Sequence, residues 1–495
     1  MEMIFNYIGI LFTIPNLLVI ATGTILGTMM GAMPGLTGTL AVAILIPTTF
    51  TMEPVMGLAM MGGSYSGSMY GGSIASILMS TPGTPAALCT SFEGYPLTRK
   101  GRAGIALKVS AVASFWGGII STVVLLIFAP ILAYFALNFG PPEYFILAIM
   151  GLASIVMFAK GNMIKGILSG FIGLAISLIG TDPISGSLRY TGGFLELYEG
   201  LDFMAPLIGM FSIAQMLTLA GEKTIIKDSG DGKAVIKKEK MPKGLGKPIA
   251  LGSLMGTGIG ILPGAGATIS SFLAYQTQRQ ISKKKHEFGN GSLEGIAAAE
   301  SSNNAVTGGS LIPLLTLGIP GNTTSAALMG GLIIQGLIPG PELFSRYADV
   351  TYPFILSLFV ANVVFLLVGL YFAPQLAKVS LIPTSLLIPI VCMFSVIGTY
   401  AIQNSLFDVG VMIIFALLGY FLSKFGFSMG ALVLGLILGP IAEKGFAQGI
   451  LMGKGSYAIF FTRPTSIVLI IITVILIVSS YFTAPTTDPD KESAI

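Results

Sequence analysis

The stretch LGIPGNTTSAALMGG, residues 317–331, sets three polar residues, Asn322, Thr323 and Thr324, directly behind a Pro320-Gly321 pair. An earlier stretch, MSTPGTPAALCTS at 79–91, repeats the plan with Pro82, Gly83 and Thr84. Proline removes an amide donor and turns the preceding residue away from helix, while glycine admits unusual dihedrals and close approach. A new helix can begin after such a break. Its N-terminus presents unpaired N–H groups and a positive partial charge, a ready anion site. The chemistry expected is capture of a carboxylate by Pro82, Gly83, Thr84, Gly321, Asn322, Thr323 and Thr324, with the two termini facing one another across it.

The half-helices that lead into the breaks end in oxygens. Ser80, Thr81 and Thr316 and the neighbouring carbonyls could ligate a hard monovalent cation. Two further breaks, Pro34-Gly35 and Pro263-Gly264, bring Gly35, Thr37, Thr39, Gly264, Thr268 and Ser270 to the same task. Sodium is the natural ion for an oxygen-only site, with no transition metal. Glu300 lies in GIAAAESSNNAVTGGS (295–310), a run otherwise small and apolar. An intramembrane carboxylate is costly and functional by default, so Glu300 is a cation or proton ligand if it lies at depth, and an interfacial residue if its helix starts deeper in the loop. Asn303 and Asn304 beside it are expected to line the substrate cavity. A packing role competes, since Gly, Ser and Thr also mediate close helix contact in lipid. Four breaks in related positions, each followed by polar residues, favour binding.

Other chemistries find little support. The one histidine, His286, sits in the basic run RQISKKKHEF, so a histidine metal site or a Ser-His-Asp triad would rest on it alone. Cys89 and Cys392 lie in apolar surroundings and read as small buried hydrophobes. Glu93, in SFEGYP, reads as a loop residue near a membrane boundary. The net charge of +4 gives no sign of nucleic-acid binding.

The elements that must position these residues follow from composition. Of 495 residues, 53% are hydrophobic and only 10% charged, against roughly 25% charged in a soluble protein. Charge-free runs such as 351–373 and 464–484 are long enough to cross a bilayer as helices. The chain is an all-α, multi-pass membrane protein. Its 64 Gly and 27 Pro exceed the needs of simple spans and point to broken helices. The N-terminus lacks a basic n-region, so no signal peptide is expected.

Lysine and arginine mark cytoplasmic loops. The stretch 222–247 holds eight lysines and belongs inside, as does the basic loop 276–293. Between them, 248–275 reads as a re-entrant hairpin turning at LPGAG; a kinked single span would put one basic loop outside. Spans are expected near 109–139, 143–159, 163–180, 201–220, 351–373, 381–402 and 408–423.

MPGLTGTL (33–40) resembles LPGAGATI (262–269), and YGGSIASILMSTPGTPAAL (70–88) resembles TGGSLIPLLTLGIPGNTTSAAL (307–328). The order is shared, and the spacing is 48 residues from Pro34 to Pro82 and 57 from Pro263 to Pro320. The chain thus reads as two repeats. The first, 1–220, has a hairpin and Pro-Gly module at 15–107 and scaffold spans at 109–220. A cytoplasmic linker, 221–247, leads to the second, 248–482, with its module at 248–345 and scaffold at 351–482; 483–495 is a polar tail. The charge map makes the repeats inverted, with a parallel repeat as the rival if 342–349 is not outside. Inverted repeats with broken helices meeting at the midplane are a secondary-transporter architecture. A channel fits two inverted halves less well, and an intramembrane enzyme lacks a positioned base. Re-entrant hairpins in both halves favour an elevator motion.

At these modules the sequence resembles a known family. YSGSMYGGSIASILMSTPGTPAALCTSFEGYPLTRKGRAGIAL (65–107) and EGIAAAESSNNAVTGGSLIPLLTLGIPGNTTSAALMGGLIIQGLIPGPELF (294–344) resemble TctA, the large membrane subunit of tripartite tricarboxylate transporters. The resemblance implies a bacterial inner-membrane location, a small TctB-like membrane subunit and a TctC-like extracytoplasmic binding protein. It also implies uptake of citrate or a related di- or tricarboxylate, driven by a sodium or proton gradient without ATP. Sodium or proton would be the coupling ion, with no other cofactor. A homo-oligomer is left open. A binding-protein-independent transporter or channel for another small organic anion is the alternative.

Overall fold

The computed structural model describes residues 2–153, 163–182, 184–221, 239–264, 266–376, 378 and 384–482. The tail at 483–495 and most of the lysine-rich linker, 222–238, lie outside them. The described chain is helical apart from one two-residue ladder. Seven of its helices are long and apolar enough to span a membrane: Ile14–Gly31, Ala103–Ala136, Met204–Gly221, Ala348–Tyr371, Ser385–Gln403, Leu406–Lys424 and Met429–Met452. The chain divides into two compact units, Met1–Ala136 with Met204–Leu417, and Leu137–Phe203 with Leu418–Ile495.

The first unit is built around two helices whose own hydropathy does not mark them as spans. In chain order its elements begin with α1 (Glu2–Leu11), α2 (Ile14–Gly31), α3 (Gly38–Ala43), α4 (Leu45–Thr49), α5 (Pro54–Met79), α6 (Leu88–Arg99) and α7 (Ala103–Ala136). Those of the second unit that follow are α8 (Pro141–Ala153) and α9 (Met163–Ser177). The first unit resumes with α10 (Met204–Gly221), α11 (Gly246–Ile261), α12 (Gly266–Ile281), α13 (Leu293–Leu317), α14 (Thr323–Ile334), α15 (Ala348–Tyr371) and α16 (Thr384–Gln403). Helices α5 and α13 are 26 and 25 residues long, rich in Gly and Ser, with two Asn in α13, and buried on all sides from Gly57 to Ile77 and from Gly295 to Thr316. A helix buried all round has no polar stripe to display. Small residues replace bulky ones because other helices, not lipid, surround it.

The cladding explains the glycines. On α2, a Cβ at Gly23, Gly27 or Gly31 would overlap the carbonyl oxygen of Met60, Ser64 or Ser68 on α5. On α11, Gly252, Gly256 and Gly260 meet Ala298, Ser302 and Val306 of α13 in the same rising order. The interleaved hydroxyls fold back onto their own helices: Thr24 and Thr28 donate to Ile20 and Thr24 carbonyls at 2.7 Å, and Ser253 and Thr257 to Ile249 and Ser253 at 2.7 and 2.8 Å.

After each Pro-Gly break the chain returns along the same partner. On α12, Ser270 bonds Ser302 at 2.7 Å and Gln278 bonds Glu294 at 2.9 Å, so α12 descends α13 while α11 ascends it. On the other side, Ser64 of α5 donates to the Ala41 carbonyl of α3 at 3.1 Å, and Thr49 of α4 reaches Met61. Both central helices then end in a left-handed residue, Ser80 with φ 57° and Gly318 with φ 70°. That is the standard device for stopping a helix.

The second unit holds α8, α9, the antiparallel pair β1 (Gly180–Thr181) with β2 (Leu188–Arg189), α18 (Met429–Met452) and α19 (Pro464–Phe482), with α17 (Leu406–Lys424) running into it from the first. Glu143, near the start of α8, accepts from Arg463 Nε at 2.7 Å and from the Ser466 hydroxyl at 2.7 Å. Between the spans expected at 163–180 and 201–220 the chain forms this short hairpin, pinned by Arg189 between Asp182 (3.2 Å) and Glu443 (2.6 Å).

Candidate transport site

The break at Pro320-Gly321 starts α14 with a reciprocal cap. Asn322 Oδ1 accepts from the Ser325 N–H and Ser325 Oγ accepts from the Asn322 N–H, both at 2.9 Å. Asn322 Nδ2 donates to the Tyr65 hydroxyl at 2.7 Å, which lies 2.9 Å from Ser310 Oγ. Both ends of the Asn322 amide are therefore occupied by the protein, so it fixes the helix start rather than offering free donors.

The free polar face belongs to the threonines. Thr39 Oγ1 lies 2.9 Å from Thr323 Oγ1 and 3.2 Å from Thr324 Oγ1. Thr39 is in the first turn of α3, whose cap is Thr37 accepting from the Leu40 N–H at 3.2 Å. The beginnings of α3 and α14 thus come together, one from each half of the chain. Thr323 is only half buried, so the cluster is open on one side.

The sequence pairs α14 with the terminus after Pro82. No hydrogen bond among the described residues joins Thr84 to Asn322, Thr323 or Thr324. Thr84 is 4% exposed and packs on Gly72, where a Cβ would meet its hydroxyl. That hydroxyl has no partner in the protein. Gly83 lies where a side chain would strike the Gly31 carbonyl, as Gly321 lies against Gly260 and Ser310. The one-turn helix at Pro85–Ala87 packs instead on α12. Each Pro-Gly module thus leans on the hairpin of the other half.

The expected cation ligands are scattered. Ser80 and Thr81 are exposed, and Thr81 donates to the Met79 carbonyl at 3.3 Å. Gly35 is exposed and its carbonyl takes the Gln215 amide at 2.7 Å. Thr268 is exposed. Thr316 is buried but donates to the Ile312 carbonyl at 2.7 Å, and the Gly264 N–H donates to the Gly321 carbonyl at 2.9 Å.

Glu300 is fully buried within the protein. Its carboxylate accepts from the Thr90 hydroxyl and, at 3.0 Å, from Ser114 Oγ. No lysine or arginine is paired with it among the described ion pairs. Asn303 donates to the Met69 carbonyl at 2.9 Å and Asn304 to the Ser66 carbonyl at 3.2 Å. These bonds tie α13 to α5.

One residue read as a loop turn has a structural part. Glu93, buried on α6, takes the Tyr275 hydroxyl at 2.6 Å and the N–H groups of Gly289, Gly291 and Ser292 at 2.6, 2.9 and 2.7 Å. It fastens α6 to the start of α13. The only cue in the sequence was an acid beside a Pro-Gly module.

A multi-pass helical membrane protein, with broken helices from both halves meeting in its interior, has the build of a membrane transporter. The chain belongs to the tripartite tricarboxylate transporter TctA family, which it matches over residues 17–434. It is thus a membrane subunit of a bacterial transporter and not an enzyme, and the family implies a tripartite system with TctB and TctC partners. It is similar to the "Uncharacterized 52.8 kDa protein in TAR-I ttuC' 3'region" of Agrobacterium vitis, 36% identical over 450 residues, 89% of this chain and 88% of that one. It is also similar to the "Uncharacterized protein in TAR-II ttuC' 3'region" of the same organism, 36% identical over 209 residues, 42% of this chain and 86% of that one. No solved structure matches it.

Proposed function

We propose that this subunit takes up a di- or tricarboxylate such as citrate, handed to it by an extracytoplasmic binding protein, and that a sodium gradient drives the step. The observation that carries the reading is the cluster of Thr39, Thr323 and Thr324 hydroxyls at the N-terminus of α14. Hydroxyl donors beside helix N–H groups suit a carboxylate, and among the described residues no base is placed beside them to activate a threonine as a nucleophile. Thr84 and Gly83 serve a second carboxylate group from the other Pro-Gly module. Asn322 and Gly321 hold α14 in place.

The repeat within this reading draws support from the paired packing of α2 on α5 and α11 on α13 through equally spaced glycines, and its inverted sense rests on the charge map. In this reading the two modules with their hairpins form the moving part of an elevator, and the remaining spans the scaffold. The test is uptake into proteoliposomes holding this chain, its small subunit and its binding protein, with sodium and proton gradients imposed separately over a panel of carboxylates. Sodium-driven uptake of a di- or tricarboxylate is expected. Failure of every carboxylate under both gradients refutes the reading.

A further inference from the structure

We propose that a sodium-sized cation binds between α5 and α13, held by the side-chain oxygens of Asn303, Asn304, Thr307 and Ser66 and balanced by the Glu300 carboxylate. The inference rests on the ion-coupled reading above but moves the ion away from the Pro-Gly ends.

All four of these side chains are buried, at most 3% exposed. Asn303 Oδ1, Asn304 Oδ1, Thr307 Oγ1 and Ser66 Oγ each lack a hydrogen-bond partner in the protein. A buried polar atom left so costs about 1–3 kcal/mol. The orientation of the two amides is dictated by chemistry. Each NH2 group meets a backbone carbonyl, Met69 O or Ser66 O. Turning either amide over would set oxygen against oxygen. The atoms left over are therefore true acceptors, and they call for a donor or a cation.

The atoms share a place. Asn304 lies against Ser66, and Asn303 against Met69 three residues further along α5. Thr307 follows Asn303 by four residues and Asn304 by three, on the same face of α13. Glu300 precedes Asn303 and Asn304 by three and four residues, so its carboxylate belongs to that face too.

Charge favours a cation over water. Glu300 is fully buried with neutral donors only, the Thr90, Ser114 and Ser110 hydroxyls and the Asn303 amide. An isolated buried carboxylate is strongly disfavoured unless a positive charge lies near or it takes up a proton, and the unfilled oxygens beside it favour the first. The donor set of amide and hydroxyl oxygens, with no histidine or thiolate, suits a hard ion and disfavours a transition metal.

The test uses the full-length purified chain. Radioactive sodium binding is measured against potassium and choline at equal ionic strength, with melting temperature as a second readout. Thr307→Val and Ser66→Ala each remove an oxygen that bonds nothing in the protein, so neither should unfold it. Each is expected to weaken sodium binding about tenfold or more. Gly258→Ala, at an open position on α11, should leave sodium binding intact. Unchanged affinity in both Thr307→Val and Ser66→Ala overturns the site. If uptake is nonetheless driven by sodium, only this assignment fails and the ion-coupled reading stands. Absence of sodium-selective binding in the wild-type chain overturns the site as well, with water as the partner of these oxygens.

Discussion

Thr39 and Thr323, 284 positions apart, bring their hydroxyl oxygens to 2.9 Å where two helices begin. Neither is needed to cap its own helix, since Thr37 and Asn322 do that. Thr39→Val keeps the shape and removes the hydroxyl. The expected result is a tenfold or larger rise in KM for carboxylate uptake, worth about 1.4 kcal/mol, with melting almost unchanged. Thr323→Val should act in the same direction. Initial uptake rates over a range of substrate concentrations check this. A KM like that of the wild type in both variants removes the cluster from the binding site.

The Glu93 carboxylate gathers three backbone N–H groups and a tyrosine hydroxyl between α6 and the start of α13. Glu93→Ala leaves the Tyr275 hydroxyl and the Ser292 N–H buried and unanswered, while the Gly289 and Gly291 N–H groups can turn to water, so a loss of about 2 kcal/mol or more is expected. Tyr275→Phe, which removes one donor only, should lose about 1 kcal/mol. Denaturation of the purified protein distinguishes the two. Equal, small effects from both variants contradict a fastening role.

Much of the frame is legible from residue types. The charge-free runs correspond to helices because a backbone in lipid must satisfy itself, and the Pro-Gly pairs fall at real helix ends. The central pair was harder. The polarity of α5 and α13 lowers their hydropathy, and their role appears only when the glycines of α2 and α11 are seen lying on them. The site was half legible. The sequence marks Thr323 and Thr324 but assigns Thr84 as their partner, where the structure supplies Thr39. Residue spacing records which helices break, not which broken end a second break will meet. Asn322 looks like a ligand by type, yet its cap and Tyr65 occupy it. Glu93 carries no local pattern at all, because every one of its partners lies more than 180 residues away.

The close helix crossings predict a sharp contrast among glycines. Gly27 and Gly256 each sit where a Cβ would collide with backbone of the facing helix. Gly27→Leu and Gly256→Leu should abolish a monodisperse, folded product. Gly258, on α11 beside Gly256, faces open space. Gly258→Ala should be tolerated or stabilising by up to about 1 kcal/mol, since alanine is the better helix former. Gel filtration and melting curves read both. A folded Gly256→Leu protein rules out the close α11–α13 contact.

In the second unit, the N–H groups of Ser185 and Ile184, both 2.8 Å from Asp182 Oδ1, hold that carboxyl below its ordinary pKa, with Arg189 adding to the effect. A lowered folded-state pKa means that the ionised carboxylate favours the hairpin. Its contribution is complete above the unfolded value, about 3.9, and is lost as pH falls through the lower folded value. Amide protection at Ile184 and Ser185 should therefore hold at neutral pH and drop only under strong acid. Asp182→Asn should lower protection at neutral pH and flatten the acid response. Protection in the wild type that falls already near pH 6 contradicts this.

Glu300 makes the final prediction. Its hydroxyl partners can donate to an amide oxygen as well as to a carboxylate, so Glu300→Gln should fold. A neutral side chain at this depth is also easier to bury. What the variant lacks is charge. If Glu300 balances a coupling cation, Glu300→Gln should bind sodium at least tenfold more weakly and lose sodium-driven uptake. It should melt at or above the wild-type temperature in sodium-free buffer. Glu300→Asp, which keeps the charge on a shorter arm, should retain more of the sodium response than Glu300→Gln. Two measurements decide: sodium binding, and uptake under an imposed sodium gradient. Full sodium dependence in Glu300→Gln would show that the carboxylate serves α6 and α7 alone, as the acceptor for Thr90 and Ser114.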